Sequence, residues 1–552
     1  MSSAAASKVA NAKASEDVFH KHAVCLVLDY GSQYTQLIAR RVRENGVLSV
    51  LLPGDAELSR IEAYEPKLVI LSGGPNSVHA EGSPKTPAGL YDYCFSRHVP
   101  ILGICYGMQL LVHELGGTVS TVADKGEYGR MPLVREGGDS MLFGPAADGA
   151  REQVWMSHGD SATSLPAGFR VSARSEAGAL VAIEDDARGL FGLQYHPEVR
   201  HTERGTELLR RVLFDVAKIK GDWRMEDVLR EERDKIARLA PSPEDHVICA
   251  LSGGVDSAVA ATLAHGVLGD RLHCVFVDNG LLRKDEAKRV MRTFEADLKL
   301  PVTLVDDSAA TLGALAGVTD PEAKRKAIGA RFIEAFRGQA NRLEKELGSR
   351  PRFLLQGTLY PDVIESAPPP GSGQKAIAHT IKSHHNVGGL PEDLDFALIE
   401  PLRELYKDEV RELGRLLGVP DSFVRRHPFP GPGLAVRVLG DVTLPGALDT
   451  LRDVDEIYVD AIREFGFYDQ IWQAFAVFLP LKTVGVQGDQ RSHSYVVALR
   501  AVTSADGMTA DWFDFPAPFL REVSTRICNT VRAVNRVVYD ITSKPPGTIE
   551  WE

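Results

Sequence analysis

From residue 23 onward, short apolar runs alternate with stretches of helical spacing. Val24-Cys25-Leu26-Val27-Leu28 reads as a buried strand, and Tyr34 to Glu44 as an amphipathic helix. Leu68 to Leu71 is a second strand, ending in the turn Ser72-Gly73-Gly74-Pro75. Val99 to Gly103 is a third, and it feeds directly into the helical pattern Met108 to Leu115. Strands that pass into helices through short glycine-rich turns predict a parallel sheet with functional loops at the strand C-termini. This unit is expected to span residues 23–218.

A charged, helical connector follows from Lys218 to Leu239, and Pro241 and Pro243 close it. The α/β rhythm then restarts at His246-Val247-Ile248-Cys249-Ala250-Leu251, with further strands at Leu272 to Val277, Val302 to Val305 and Phe353 to Gln356. This second unit is placed at 222–426. Within it, Ala367 to Gly373 is a Pro/Gly/Ser-rich loop, and the polar stretch Ile377 to Leu390 reads as a mobile segment. Arg426-His427-Pro428-Phe429-Pro430-Gly431-Pro432-Gly433 cannot be helix, because proline fixes φ and removes donors. A third unit, 427–552, alternates helix (Asp453 to Phe465), strand (Tyr495 to Val502) and helix (Phe519 to Val534). The expected fold class is α/β: two parallel-sheet three-layer domains plus a smaller α+β C-terminal domain.

Composition narrows the classes. The 552 residues are 44% hydrophobic and 25% charged, which is ordinary globular usage. Charges, Gly or Pro interrupt every apolar run before it could span a bilayer, so no membrane partner is expected. The net charge of −12 disfavours a duplex-DNA binder with a basic face, and no nucleic-acid partner is expected. The six cysteines, at 25, 94, 105, 249, 274 and 528, include no CxxC pair, which argues against zinc ribbons and thioredoxin-type sites. Sparse, unpaired cysteines fit a reducing compartment. Residues 1–22 are rich in Ala, Ser and Lys, contain no Arg, and carry Glu16 and Asp17. They read as a disordered cytosolic tail rather than a transit peptide.

Gly103-Ile104-Cys105-Tyr106-Gly107 has the spacing of a nucleophile elbow, between an apolar strand and a helix. The nucleophile must sit on a tight turn to project its side chain, and the helix N-terminus beyond it favours a thiolate and offers N–H donors to an oxyanion. A thiol needs a base. Gln194-Tyr195-His196-Pro197-Glu198 supplies His196 to take the proton and Glu198 to orient the imidazolium. Together these strings resemble the class I glutamine amidotransferases of the triad type. The resemblance implies hydrolysis of the glutamine side-chain amide through a thioester, releasing ammonia. It further implies an oxyanion loop at Gly73 and Gly74, with Gly74 N–H the favoured donor, and glutamine-holding positions at Gln109, Ser157 and His158.

A second glycine-rich turn, Leu251-Ser252-Gly253-Gly254-Val255-Asp256-Ser257, follows a strand and opens a helix. Its backbone N–H groups and two hydroxyls can surround phosphate, although it is not a Walker A loop. Asp256 would repel phosphate directly, so a bridging Mg²⁺ is the simplest reason for an acid there. The string resembles the PP-loop of the ATP pyrophosphatases, which cleave ATP between α- and β-phosphates and adenylate an acceptor oxygen. The ATP site implied is Ser252, Gly253, Gly254, Val255, Asp256, Ser257 and Ala258, with Asp278 near the adenosine.

Four further strings identify the acceptor: Gln356 to Ser366, Ile381 to Gly389, Arg426 to Leu434, and the closing Lys544-Pro545-Pro546-Gly547-Thr548-Ile549-Glu550-Trp551-Glu552. In this order they resemble the glutamine-hydrolysing GMP synthetase family, from about residue 23 to Glu552. The resemblance implies XMP as acceptor, adenylated at its C2 oxygen and aminated to GMP in the cytosol. It implies a lid carrying Lys382, His384 and His385, and an XMP site using Arg325, Gln473, Lys544, Ile549 and Glu550. It also implies a homodimer formed through 427–552. The stretch Gly488 to Ser494 does not match the family pattern, which leaves a substrate role for Gln490 to His493 open. Two other readings stand beside this one: a PP-loop amidotransferase acting on another carbonyl acceptor such as an RNA base, and an inactive glutamine- or nucleotide-binding regulator. The acidic charge and missing basic stripe disfavour the first; the intact Cys105, His196 and Glu198 disfavour the second.

Overall fold

The computed structural model describes residues 21–121, 126–136, 138–145, 149–365, 396–487, 490–504 and 509–552. These fall into two compact units, one ending at Val228 and the other starting at Leu229. The tail up to residue 20 lies outside the described residues.

The first unit is built on a nine-stranded sheet in the order Leu48–Pro53, Val24–Asp29, Leu68–Leu71, Ile101–Ile104, Leu190–Leu193, Leu180–Asp185, Arg170–Ser175, Glu127–Arg135, Arg151–His158. The first five strands are parallel, as the glycine turns predict. The remaining pairs are antiparallel, so the sheet is mixed. The central parallel strands are apolar at every position because both faces are buried. Ile104 pairs with Leu193 at the ends of neighbouring parallel strands. This register delivers the segment after Ile104 and the segment after Leu193 to the same sheet edge.

The second unit holds a five-stranded, all-parallel sheet in the order Val302–Asp306, Leu272–Asp278, Val247–Leu251, Phe353–Leu355, Ala397–Ile399. The chain order reverses between Val247–Leu251 and Phe353–Leu355, and ligands bind at such switch points beyond the strand C-termini. The helix Pro321–Leu347 shows how local sequence sets boundaries. Asp320 caps it by accepting from Ala323 N, Pro321 opens it, and Gly348 at φ +72° ends it.

A further sheet in this unit pairs Gln473–Gln487 with Gln490–Thr503 antiparallel, and Val534–Tyr539 runs parallel to the latter. Helices Ala447–Glu464 and Ala517–Thr530 pack on it through Val454, Tyr458, Phe478, Phe519 and Ile527, and Leu281 and Ile328 join the same core. Three local expectations shift here. The helix expected from Asp453 begins at Ala447. The helix expected to reach Val534 stops at Thr530, and Val534 instead opens a strand that runs to Tyr539. The connector expected to be helical from Lys218 is helical only from Met225. Strand Gln473–Gln487 escaped the periodicity reading because its Gln473–Phe478 run is buried at every position instead of alternating.

Candidate active site

The elbow takes the form the sequence predicts. Cys105 sits at φ +53°, ψ −108°, between strand Ile101–Ile104 and helix Tyr106–Glu114. This is a strained conformation for a residue with a Cβ. Its glycines are steric necessities: a Cβ on Gly107 would lie 2.3 Å from Leu71 O, and one on Gly103 would lie 2.5 Å from Gly107 O. Cys105 N donates to Leu193 O at 2.6 Å and Gly107 N to Ser72 O at 3.0 Å, which pins the turn to both neighbouring strands.

His196 and Glu198 arrive from the adjacent strand. Both are buried, and His196 Nδ1 lies 2.7 Å from Glu198 Oε1. Cys105 lies close enough to the ring to raise its pKa. Burial pushes the imidazole pKa down, but the Glu198 carboxylate and the Cys105 contact outweigh it and raise the value to about 10. Thr202 Oγ1 donates to His196 O at 2.6 Å and Tyr34 stacks edge-on against the ring at 4.9 Å, so the imidazole is fixed in place.

The loop expected to bind the oxyanion also reaches this pocket. A Cβ on Gly73 would lie 3.2 Å from His196 Cε1, and one on Gly74 would lie 2.6 Å from Tyr30 O. Ser157 O accepts from the Cys105 thiol at 3.7 Å. Gln109 is buried, with its amide donating to Asp160 O at 2.9 Å and lying 3.4 Å from Gln194 Oε1. Gln194, which sequence reasoning passed over, brings its own amide within 3.8 Å of Cys105 Sγ. Both ring nitrogens of His158 are engaged, Nδ1 at Asp160 O (3.1 Å) and Nε2 at Glu127 Oε2 (3.2 Å). Burial lowers its pKa despite the opposing pull of Glu127.

The loop expected to bind phosphate lies after strand Val247–Leu251, at the switch point. Gly253 has φ +75°, and Gly254 precedes the helix Val255–Leu268. Ser252 and Ser257 hydroxyls lie 3.1 Å apart, and Ser257 Oγ donates to Gly254 O at 3.2 Å. Ala258 is fully buried in the helix that follows. The loop after strand Phe353–Leu355 abuts it: a Cβ on Gly357 would lie 3.1 Å from Ser257 N. Asp278 ends the neighbouring strand and accepts from Gly280 N at 2.9 Å. Two cations at this loop were not among the residues the sequence assigned to the ATP site. Lys407 Nζ stands 2.5 Å from Asp256 Oδ2, and Arg426 Nη1 donates to Gly253 O at 3.1 Å. Asp256 Oδ1 is buried with no hydrogen-bond partner among the described residues.

Residues 26–216 match the model described as glutamine amidotransferase class-I, and residues 460–551 match GMP synthase C terminal domain. Curated relatives named GMP synthase [glutamine-hydrolyzing] match over nearly the whole length. The one from Bradyrhizobium sp. (strain ORS 278) is 53% identical over 96% of each chain. The one from Rhodopseudomonas palustris (strain ATCC BAA-98 / CGA009) is 52% identical over 100% of this chain and 99% of its own.

The chain belongs to the glutamine-hydrolysing GMP synthase family.

The residues that the family resemblance assigned to XMP gather only in part. Glu550, Gln473 and Ile549 come together at the C-terminal end of the chain. Gln473 Nε2 donates to Glu550 Oε1 at 2.8 Å and to Pro428 O at 3.1 Å. Ile549 is buried against Phe475, Val477 and Ala498, and its carbonyl accepts from Arg500 Nε at 2.8 Å. Arg325 instead donates to Glu552 O at 2.8 Å and to Glu322 at 2.8 Å. Beside it the wholly buried Lys324 donates to Val438 O at 2.8 Å and meets the Glu552 carboxylate. Lys544 pairs through its backbone with Ala510. The residues expected to form a lid, Lys382, His384 and His385, lie outside the described residues. Gln490 to His493 form the start of strand Gln490–Thr503, opposite Val484 to Gln487. Among the described residues no helix is long and apolar enough to cross a membrane.

Proposed function

We propose that this chain makes GMP from XMP, ATP and glutamine by two separate chemistries. The observation that carries the reading is the buried Cys105–His196–Glu198 constellation on a strained elbow. In the first chemistry, the Cys105 thiolate attacks the side-chain amide carbon of glutamine. Negative charge develops on the amide oxygen, where the Gly74 N–H and the start of helix Tyr106–Glu114 offer donors. His196 passes its proton to the leaving nitrogen, and ammonia departs from a Cys105 thioester. Water, deprotonated by His196, then hydrolyses the thioester to glutamate. Glu198 keeps the imidazole in one orientation and stabilises its cationic form.

In the second chemistry, the C2 oxygen of XMP attacks the α-phosphorus of ATP and pyrophosphate leaves. Ammonia adds to C2, and the bond to the AMP oxygen breaks to give GMP. Ser252, Gly253, Gly254 and Ser257 are suited to bind the phosphates through N–H and hydroxyl donors. The orphaned, buried Asp256 Oδ1 fits a hard cation, and a Mg²⁺ shared by one carboxylate and substrate phosphates needs no larger cluster of protein ligands. Asp256 would hold it, and a bound Mg²⁺ would supply charge neutralisation at the phosphates. Lys407 adds a protein cation at the same place.

Residues 427–552 are read as the dimerisation region. Exposed Leu481, Val484 and Val486 on the long hairpin support this, because three apolar side chains on one projecting arm are costly in water. Light scattering of the purified chain tests it, and a monomer mass removes the dimer from this account. A cytosolic site of action rests on the family and on sparse, unpaired cysteines. Cys105→Ala tests the two-site reading: glutamine-dependent synthesis is lost while synthesis from added ammonia persists. Equal loss of both activities would contradict it.

A further inference from the structure

Arg437 is one of the largest fully buried side chains among the described residues, at 0% exposure. It ends the short helical turn Gly433–Arg437, which follows the proline-rich segment. That turn is fixed by Gly433, whose φ is +62° and where a Cβ would lie 2.5 Å from Leu281 O. Leu434 N donates to the same Leu281 O at 2.7 Å. The guanidinium lies over the rings of Phe475 (4.2 Å) and Phe429 (5.1 Å). Its Nε lies 3.1 Å from Glu550 Oε2 and its Nη2 lies 2.8 Å from Glu550 Oε1. This is the two-bonded fork that guanidinium and carboxylate form best.

The acceptor capacity of Glu550 can be counted. A carboxylate has about four lone-pair sites. Oε1 receives Arg437 Nη2 and Gln473 Nε2, and Oε2 receives Arg437 Nε. One site, on Oε2, remains on a side chain that is 19% exposed. The charge of Glu550 is therefore neutralised by Arg437, while one acceptor site is left on a side chain that solvent still reaches.

We infer that Arg437 is the positioning residue that sets Glu550 as a one-site acceptor for an N–H on the purine base of the nucleotide substrate. This rests on the XMP reading given above. An acceptor in that place selects a base edge bearing an N–H, as xanthine does, and opposes one presenting a bare ring nitrogen, as adenine does. Arg437 is wholly buried and acts only through Glu550. Lysine keeps the charge but loses the fork, so it is not an equivalent residue here.

The test uses the full chain in ammonia-dependent synthesis, with Arg437→Lys, Arg437→Gln, Glu550→Gln and the double variant Arg437→Gln/Glu550→Gln. Each of the first three is expected to raise the KM for XMP by about tenfold or more. The KM for ATP is expected to stay within about twofold; a general loss of folded protein would lower the apparent kcat and leave both KM values unchanged, so a selective rise in the KM for XMP is not a folding effect. In the double variant the two effects are expected not to add, because one residue acts through the other. Additive effects, or an unchanged KM for XMP in Arg437→Lys, would overturn the inference. If Arg437→Gln does not fold, Arg437→Lys paired with Glu550→Gln carries the same cycle. An unchanged KM for XMP in Glu550→Gln would instead remove Glu550 from the XMP site itself, a separate failure.

Discussion

Glu198 Oε1 stands 2.7 Å from His196 Nδ1, in a pocket where the imidazole is 3% and the carboxylate 0% exposed. Burial alone would favour a neutral ring. The carboxylate reverses that, and the imidazole pKa rises to about 10. A raised folded-state pKa means that the pair's contribution to stability is whole below the unfolded imidazole value of about 6.5. It is lost as the pH climbs through about 10. Chemistry that needs the imidazolium follows the same upper limb.

Glu198→Gln removes the anion and keeps the shape. The alkaline limb of glutamine hydrolysis is expected to move from about 10 toward the ordinary imidazole range, and the rate to fall by roughly 10²- to 10⁴-fold. A pH–rate profile of both proteins checks this. An unchanged alkaline limb would show that Glu198 does not govern the His196 proton.

Gly107→Ala is expected to damage the fold as well as the chemistry. The new Cβ would meet backbone, Leu71 O at 2.3 Å, and neither partner is a flexible side chain that could yield. Overpacking of this kind costs roughly 1–3 kcal/mol. Thermal unfolding is expected to show a lower midpoint, together with loss of glutamine hydrolysis. A variant with the wild-type midpoint would mean the elbow is less crowded than described.

Lys407→Met addresses the cation at the phosphate loop. A lysine in the first turn of helix Lys407–Leu416 opposes the helix dipole, and Asp256 is the feature that accounts for it. Loss of a charge-assisted contact to phosphate or carboxylate is expected to lower ammonia-dependent GMP formation by roughly 10- to 100-fold. Alkylation of Cys105 by iodoacetamide is expected to proceed at the wild-type rate. Undiminished synthesis would make Lys407 a structural partner of Asp256 only.

Deleting residues 548–552 strips acceptors from three buried cations. Arg500 loses the carbonyls of Thr548 and Ile549, Arg437 loses Glu550, and Lys324 loses Glu552. An uncompensated buried charge costs roughly 3–5 kcal/mol. Synthesis is expected to disappear and the melting midpoint to fall. Full activity after deletion would take the C-terminal residues out of the substrate site.

The parts of the site that were legible in the sequence are those where chemistry and backbone geometry share one short string. Gly103 to Gly107 combine a nucleophile with the two glycines that its turn requires, and Ser252 to Ser257 combine hydroxyls with a glycine at positive φ. His196 and Glu198 are two residues apart, so their pairing is local. Lys407 and Arg437 left no such trace. Their partners are 151 and 113 positions away, and only the folded sheet brings them together. His158 illustrates the converse. It stands at the expected position, yet Glu127, on the neighbouring strand and 31 residues away, engages its Nε2. The mixed character of the first sheet was hidden for a related reason. Its outer antiparallel strands, Glu127–Arg135 and Arg151–His158, are only partly buried and carry charges.

The most direct test of the central claim is a single incubation of the purified chain with XMP, ATP, Mg²⁺ and glutamine labelled with ¹⁵N at its side-chain amide. The account predicts GMP one mass unit heavier than unlabelled GMP, with glutamate, AMP and pyrophosphate formed alongside it. Glutamate without labelled GMP, or ADP and phosphate in place of AMP and pyrophosphate, would contradict it.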